Sequence, residues 1–278
     1  MLIGISGKMQ SGKDTVALIC QYLYDYHRSQ YTHPITERDF NEYVKNNHHL
    51  KCDWKNVKFA DKLKDMVCLL LGCTREQLED PKFKESTLGE EWVKYELNFT
   101  SHSRLSYGDC SEYYEKYFLS KEEAVEYIEG NLEVDQDSIN ISKIELTPRL
   151  LLQLLGTECG REIIHPDIWV NATFAEYKPQ HFRTVKHQGL FVDHLTTMPN
   201  WIISDVRFPN EANAVKSKGG IMIRINRPGN DTGKHLSETA LDYYEEWEYV
   251  IDNEGSIEEL IDKVKQILIK EKIIWKAY

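Results

Sequence analysis

The first fifteen residues constrain the fold of this chain more strongly than any other segment. A short apolar run, Leu2 to Ile5, leads into the glycine-rich turn Gly7 to Gly12, and Lys13 then opens a segment with helical spacing. The backbone N–H groups of such a strand–turn–helix unit converge on one point, where the helix dipole adds partial positive charge. The segment therefore predicts a phosphate-binding loop for a nucleoside triphosphate, with Lys13 on its β- and γ-phosphates.

The two residues after the loop lysine decide how the loop would hold a metal. Ser or Thr usually follows this lysine and ligates Mg²⁺, whereas here Asp14 comes first and Thr15 second. Two interpretations of Asp14 stay open: a carboxylate ligand of Mg²⁺, and a helix N-terminal acid that stabilises the dipole. Thr15 offers its hydroxyl to the phosphates or to the metal. The residues predicted to bind the triphosphate and its metal are Gly7, Ser11, Gly12, Lys13, Asp14 and Thr15.

Composition limits the classes of protein to which the chain can belong. Of its 278 residues, 41% are hydrophobic and 28% are charged, as in a globular protein. No apolar stretch approaches the ~18 residues of a membrane span, and the six cysteines lack C-x-x-C spacing, which suits free thiols. We therefore expect a cytoplasmic protein. The net charge of −11 argues against a nucleic-acid-binding surface.

Strands and helices alternate along most of the chain. Apolar runs predict strands at residues 2–5, 57–60, 201–204 and 221–225. Helical spacing, with capping residues and terminal glycines, predicts helices at residues 13–27, 61–71, 150–159, 166–177, 210–218 and 256–269. This alternation predicts an α/β fold, with a central parallel sheet and helices on both faces.

One segment departs from this alternation. Residues 81–146 are polar, acidic and rich in tyrosine, and residues 109–145 carry eleven acidic side chains against three lysines, which is −8 of the net −11. Within this segment, Glu122 to Ile128 has helical spacing. We therefore expect a single domain over residues 1–278 with an inserted, mainly helical acidic subdomain at about 90–146.

A second motif, Ser-Asp-Val-Arg-Phe-Pro-Asn-Glu, spans residues 204–211 at the end of a predicted buried strand. Open α/β sheets bind their ligands at this end of the strands. Asp205 is therefore a candidate for ligating Mg²⁺ or orienting a substrate group, and Arg207 is a candidate for clamping a phosphate with two hydrogen bonds. The alternative is an Asp–Arg pair that only closes the loop.

A third motif, TPRLLLQLLGTECGR, begins at Thr147. Arg149, Gln153 and Thr157 follow at intervals of four and stay near one helix face, where a polar stripe suits recognition of a base or sugar edge. Arg161 is a candidate for contacting the transferring phosphoryl group, because that reaction depends on positioning and positive charge.

Together these motifs resemble the deoxynucleoside monophosphate kinases of tailed phages and their bacterial relatives. The resemblance rests, in order, on GKMQSGKDT from Gly7, FADKLKD from Phe59, TPRLLLQLLGTECGRE from Thr147, PDIWV from Pro166, SDVRFPNEA from Ser204 and HLSE from His235. It implies a P-loop kinase fold and the transfer of a phosphoryl group from ATP, with Mg²⁺, to a deoxynucleoside monophosphate. In that family the loop reads G-K-D-T, so Asp14 is the regular form there.

Candidate residues for each role follow from the motifs and the resemblance. The catalytic candidates are Lys13, Arg161, Asp205 and Arg207, and the metal candidates are Asp14, Thr15 and Asp205. The candidates for binding the acceptor are Lys64, Arg149, Gln153, Thr157, Trp169 and Arg207. Two features depart from the family: Met9 stands where relatives often carry a basic residue, and the acidic insertion is long.

Two alternatives stay open. Dephospho-coenzyme A kinase and phosphomevalonate kinase share the loop and fold but phosphorylate other acceptors. A nucleotide-binding module without catalysis would use the acidic insertion as a partner surface, although the presence of Lys13 and three candidate arginines argues against it. We expect a small-molecule substrate and no membrane or nucleic-acid partner, and the sequence leaves a homodimer open. Because water must be kept from the γ-phosphoryl group, we expect a lid within residues 149–200.

Overall fold

The computed structural model describes residues 1–29, 35–104, 110–119, 122–123, 126, 139–185, 191–229 and 239–275. The chain forms two units, one of Met1–Leu63 with Gly160–Tyr278 and the other of Lys64–Cys159. Each unit has its own main β-sheet. Among the residues just given, no helix has the length and apolar character needed to cross a bilayer.

The first unit is built on five parallel strands. In spatial order they are β10 (Tyr249–Asp252), β9 (Ile221–Asn226), β1 (Leu2–Gly7), β8 (Asn200–Val206) and β2 (Trp54–Val57). At the centre, Ile3 pairs with Ile202 on one side and with Ile221 on the other. Parallel sheets are covered on both faces, which is why the three central strands β9, β1 and β8 contain apolar runs in the sequence, whereas the edge strand β2 does not.

Successive residues of β1 pack against different helices, because side chains alternate between the two faces of a strand. Ile3 and Ile5 lie in a buried cluster with residues of α1 (Lys13–Arg28) and α9 (Ile257–Lys270). Gly4 approaches the opposite layer: a Cβ on it would lie 2.3 Å from Met222 Sδ and 3.2 Å from Val215 of α8 (Pro209–Ser217). Helices therefore cover both faces of the sheet, and the predicted α/β architecture is confirmed.

Shorter elements complete the described part of the first unit. They are α2 (Glu37–Lys45), a 3-10 turn (His48–Lys51), α7 (Ile168–Phe174) and an antiparallel hairpin of β6 (Gln180–Val185) and β7 (Phe191–Thr197). The predicted helices at 13–27, 210–218 and 256–269 are confirmed within one residue at each end, whereas the helix predicted at 166–177 is the shorter α7. The short helix α2 lies within residues 28–56, where the sequence predicts a loop and a short helix, whereas the hairpin and β10 were not predicted, because their sequences are short or polar.

The second unit contains an antiparallel sheet, so the expectation of a mainly helical insertion is wrong for the described residues. In spatial order its strands are β4 (Cys110–Leu119), β3 (Val93–Arg104) and β5 (Ile139–Glu145). Apolar and polar residues alternate from Val93 to Phe99, which is the period of a strand. The acidic composition obscured this alternation. Of the helix predicted at 122–128, positions 122, 123 and 126 are helical, and the others lie outside the described residues.

Along the chain, helices of the second unit come before the first strand and after the last strand of this sheet. They are α3 (Asp61–Leu71), which begins in the first unit, α4 (Arg75–Glu79), α5 (Pro81–Glu85) and α6 (Pro148–Gln153). The bounds of α3 match the prediction, and Gly72 follows it with a left-handed φ of 62°. Thr147 caps α6 as predicted, because its side chain accepts a hydrogen bond from the Leu150 N–H at 3.1 Å.

The helix predicted to end at Gly160 does not end there. After α6 the chain continues as an eleven-residue π-helix, Leu154–Ile164. The His165 N–H donates to the Gly160 carbonyl at 3.0 Å, five residues back, so the helical pairing changes register and continues through the glycine. Such π-helical segments are rare and frequently lie at functional sites.

Candidate active site

The glycine-rich turn joins the carboxyl end of β1 to the first turn of α1. Gly12 has a φ of 101°, a left-handed conformation that glycine adopts without strain. A Cβ on Gly12 would lie 2.6 Å from Asn253 Nδ2, which donates to the Ser11 carbonyl at 2.9 Å. The turn therefore requires glycine at this position both for its backbone angle and for the close approach of Asn253.

Lys13 folds back onto the loop that precedes it. Its Nζ donates to the carbonyl oxygens of Gly7 and Lys8, both at 2.7 Å. The Ser11 hydroxyl is buried and has no hydrogen-bond partner within the described part of the chain. The loop thus brings together an ammonium group, an unpaired hydroxyl and a helix N-terminus, all of which are groups that bind phosphate.

Asp14 lies at the start of α1 and is held by two groups that the sequence analysis did not assign. Its Oδ1 accepts a hydrogen bond from Ser204 Oγ at 2.9 Å and lies 2.8 Å from Lys58 Nζ. Burial acts to raise the pKa of Asp14, but Lys58, Ser204 and Lys13 outweigh it and hold that pKa below its usual range. Asp14 is therefore a carboxylate at neutral pH, and the half-buried Thr15 follows it.

Asp205 fixes the chain that carries Lys58. From the end of β8, its Oδ1 accepts from the Phe59 N–H at 2.8 Å and its Oδ2 from the Ala60 N–H at 3.0 Å. Burial raises the pKa of Asp205, and these two donors oppose the rise. Because these amides bond to a carboxylate, the strand predicted at 57–60 is misplaced: β2 runs from residue 54 to 57. The catalytic and metal-binding roles of Asp205 stay predictions.

Glu211, at the start of α8, brings two predicted site residues together. Its Oε1 accepts from Arg161 Nη2 at 2.7 Å, and its Oε2 accepts from the Arg207 N–H at 2.7 Å. The Arg161 guanidinium stacks on the Phe208 ring, 3.9 Å from its centroid. Burial raises the pKa of Glu211 to about 7, although Arg161 opposes the rise. The sequence signal for Glu211 is its place three residues after Phe208, at capping-box spacing next to Pro209.

The remaining acceptor candidates divide between the two units. Lys64 and Arg149 belong to the second unit, where they form ion pairs with Glu79 and Glu85 respectively. Gln153 ends α6 and Thr157 lies in the π-helix, both half-buried in that unit. Trp169 is buried in α7 of the first unit. Their role in binding an acceptor stays a prediction, and His235 to Glu238 lie outside the described residues.

The parallel sheet and the loop between its central strand and α1 define the class of P-loop nucleotide-binding proteins. Within that class, one family can be named: the model of the family "Deoxynucleotide monophosphate kinase" matches residues 1–264. The chain belongs to this family.

Two curated relatives show how far the similarity extends. The deoxynucleotide monophosphate kinase of Enterobacteria phage T4 is 26% identical over 273 residues, which cover 96% of this chain and 98% of the relative. The deoxynucleoside-5'-monophosphate kinase of Escherichia phage T5 is 26% identical over 227 residues, which cover 78% of this chain and 72% of the relative. The similarity is low in identity but extends through both units.

Proposed function

We propose that this protein is a deoxynucleoside monophosphate kinase, which transfers the γ-phosphoryl group of ATP, with Mg²⁺, to a deoxynucleoside monophosphate and yields the diphosphate. The family match over residues 1–264 supports the acceptor class. The observation that carries the proposal is the loop itself, in which the Lys13 ammonium lies 2.7 Å from two loop carbonyls and the Ser11 hydroxyl has no hydrogen-bond partner among the residues that the structure describes. These groups suit the phosphates of a nucleotide.

The residues of the loop fit both the triphosphate and its metal. Ser11 offers the phosphates a buried hydroxyl without a partner among the described residues, and Lys13 offers a positive charge. Asp14, an ionised carboxylate, and Thr15, a hydroxyl, are the oxygen ligands that Mg²⁺ prefers. When bound, the metal neutralises charge that develops on the β- and γ-phosphates.

The catalytic contribution of the chain is positive charge and positioning. Lys13, Arg161 and Arg207 would balance the charge on the equatorial oxygens of the transferring group. Glu211 holds the guanidinium of Arg161 and the backbone of Arg207 within one network of hydrogen bonds. A strong general base is not needed, because the acceptor phosphate is already anionic at neutral pH.

The acceptor side and the lid belong to the same proposal. Lys64, Arg149, Gln153, Thr157, Trp169 and Arg207 are proposed to bind the deoxynucleoside monophosphate. A lid within residues 149–200 would close over the site and exclude water. The chain would work as one P-loop domain with an insertion at about 90–146. Equal protease sensitivity of residues 149–200 with and without a bisubstrate analogue would contradict the lid. We also keep as predictions that the protein is cytoplasmic and that it has no nucleic-acid partner. Whether it is a monomer or a homodimer stays open.

An acceptor screen tests the proposed function. The purified protein is incubated with ATP, Mg²⁺ and each of the four deoxynucleoside monophosphates, dephospho-coenzyme A or phosphomevalonate, and ADP release is measured. We expect turnover with at least one deoxynucleoside monophosphate. Dominant turnover with either of the other two acceptors would assign the protein to a different kinase, and no turnover with any acceptor would favour a binding module without catalysis.

A matched pair of variants ties the turnover to the loop. Lys13→Ala should lower kcat by about 10²–10³-fold, the usual cost of removing one preorganised charge-stabilising donor. Lys45→Ala removes an exposed lysine at the end of α2 and should leave kcat unchanged. Equal rates for the two variants would show that the measured turnover does not come from this site.

A further inference from the structure

Lys58 forms an ion pair with the metal candidate Asp14, and no contact with a substrate has been assigned to it. It lies between β2 and α3, and its Nζ is 2.8 Å from Asp14 Oδ1. The Lys58 backbone is fixed on both sides, because its N–H donates to Asp61 at 2.9 Å and the next two N–H groups donate to Asp205. The backbone at Lys58 is therefore held by its own turn and by the end of β8, and the side chain extends from it to Asp14 of α1.

Asp14 Oδ1 already has two partners, Ser204 Oγ at 2.9 Å and Lys58 Nζ at 2.8 Å, so its two lone pairs are in use and a metal that binds this oxygen must displace one of them. Mg²⁺ binds its oxygen ligands at about 2.0–2.1 Å, so a metal on Asp14 Oδ1 would lie within about 4 to 5 Å of an ammonium group bonded to the same atom. The Asp14 side chain is 64% exposed and that of Lys58 is 30% exposed, so water weakens the repulsion between two cations at that separation without removing it. Mg²⁺ and Lys58 therefore compete for Asp14 Oδ1.

Asp14 keeps its orientation when Lys58 leaves it. Ser204 Oγ donates to the same Oδ1 at 2.9 Å, and Ser204 is buried in β8, so this hydrogen bond does not depend on the lysine. The Lys58 ammonium stands on a flexible four-carbon stem, and its side chain is 30% exposed. The stem can thus move while the backbone stays in place.

We propose that Lys58 is a further phosphate-binding residue of this kinase. It pairs with Asp14 while no metal is bound, and its side chain moves to pair with the phosphate oxygens of the nucleotide when Mg²⁺ occupies Asp14. This inference rests on the proposed function, since it requires a nucleotide with Mg²⁺ at the loop. It gives the site a second lysine beside Lys13, supplied by a different segment.

The test uses two binding measurements, and the proposal requires that substitution of Lys58 raise one affinity and lower the other. Mn²⁺ alone is titrated into the nucleotide-free protein and followed by electron paramagnetic resonance, and a non-hydrolysable ATP analogue with Mg²⁺ is titrated by calorimetry. In Lys58→Met, Asp14 loses its competitor, so the Mn²⁺ affinity should rise about tenfold, while the affinity for the Mg²⁺–nucleotide complex should fall about tenfold through the loss of a hydrogen bond between charged groups. A merely structural lysine would lower both affinities or neither.

Two further variants keep the test decisive. Lys55→Met removes an exposed lysine from β2 and should change neither affinity. Lys58→Gln repeats the test with a polar side chain if the methionine variant does not fold. A rise in Mn²⁺ affinity without a loss of nucleotide affinity, or the reverse, would overturn the proposal. Neither measurement includes an acceptor, so failure of the acceptor screen and failure of this inference are separate results.

Discussion

At the residue scale, Glu211 is the group that joins two elements of the site. It is 1% exposed, and it accepts hydrogen bonds from the Arg161 side chain and from the Arg207 and Phe208 N–H groups at 2.7, 2.7 and 3.2 Å. Removal from water raises its pKa to about 7. The carboxyl group therefore changes its charge near neutral pH, in direct contact with a proposed catalytic arginine.

This shift predicts a pH dependence of folding stability. A carboxyl group whose folded-state pKa exceeds its unfolded value favours folding below the unfolded pKa, near 4.5, and this stability is lost as the pH rises towards 7. The loss amounts to roughly 3 kcal/mol for a shift of this size. The free energy of unfolding in urea should fall between pH 5 and 8 in the wild type, and less steeply in Glu211→Gln.

A neighbouring glutamate provides the control for that experiment. Glu162 is exposed in the π-helix, so Glu162→Gln should keep the wild-type slope. Identical slopes for Glu211→Gln and the wild type would show that Glu211 keeps one protonation state across this range.

The sequence predicts the loop residues but not their partners, for a physical reason. Gly7, Gly12 and Lys13 act through local backbone geometry, which a short motif specifies. Lys58 and Ser204 contribute through contacts with Asp14, far away in the chain, and these contacts exist only once the strands are placed side by side. Glu211 has local contacts with the Arg207 and Phe208 N–H groups, but its contact with Arg161 spans 50 residues. An isolated lysine such as Lys58 carries no sequence pattern that would distinguish it from a surface charge.

At the element scale, Asp205 connects the end of β8 to the turn between β2 and α3. Both of its oxygens are used, one for each of the Phe59 and Ala60 N–H groups. Neither amide takes part in the ladder between β2 and β8, which ends at Val57. Asp205 therefore ties this turn to the end of β8 with both of its oxygens, while Asp61 holds the Lys58 N–H within the turn.

Asp205→Asn tests this connection. The amide nitrogen of asparagine cannot accept a hydrogen bond, so one of the two N–H groups loses its partner, and we expect a loss of about 1–3 kcal/mol in the free energy of unfolding. Hydrogen exchange of the Phe59 and Ala60 amides should accelerate. Asp262→Asn, on the exposed side of α9, should change neither quantity. Unchanged exchange at both amides in Asp205→Asn would contradict the clamp.

In the second unit, Glu79 joins α4 to α3 and α5 by ion pairs. It contacts Lys64 of α3, and its Oε2 lies 2.9 Å from Lys84 Nζ of α5. These two lysines outweigh its partial burial and lower the pKa of Glu79 to about 2. The pairs therefore favour folding above the unfolded pKa near 4.5, and their contribution is lost as the pH falls towards 2.

We expect Glu79→Gln to lower stability by about 1 kcal/mol at pH 7, since the side chain is 46% exposed and the pairs are screened by water and salt. The difference from the wild type should vanish near pH 2 and shrink in 1 M salt. Glu91→Gln, an exposed glutamate outside the network, serves as the control. A difference that persists at pH 2 would mean that Glu79 acts through packing.

At the scale of the whole molecule, hydrophobic periodicity predicts the parallel sheet but not the insertion. The central strands are buried on both faces, so their sequences are mainly apolar, as in Ile221 to Ile225. Such short apolar runs are typical of the strands of a parallel sheet. β3 lies in a segment rich in charge, where alternating residues such as Tyr95 and Glu96 form a strand of period two. The acidic composition of this segment indicates exposed helix, but its fold follows the alternation.

Nucleotide binding should stabilise the molecule by an amount that grows with the logarithm of the nucleotide concentration relative to its Kd. At a hundred times its Kd, a non-hydrolysable ATP analogue with Mg²⁺ contributes about 2.7 kcal/mol, which corresponds to a rise of roughly 5–10 °C in the Tm of a chain of this size. Calorimetry should show this rise in the wild type and its loss in Lys13→Ala. An equal rise in both proteins would place the nucleotide elsewhere.

The central position of β1 in its sheet has a consequence for synthesis on the ribosome. Ile3 pairs with Ile202 and with Ile221, so both neighbours of β1 are translated about 200 residues later. At 5–20 residues per second, β1 and the adjoining loop emerge roughly 10–40 s before they find a partner strand. During that interval the nascent chain carries an apolar segment, and the nucleotide site is among the last parts of the molecule to form.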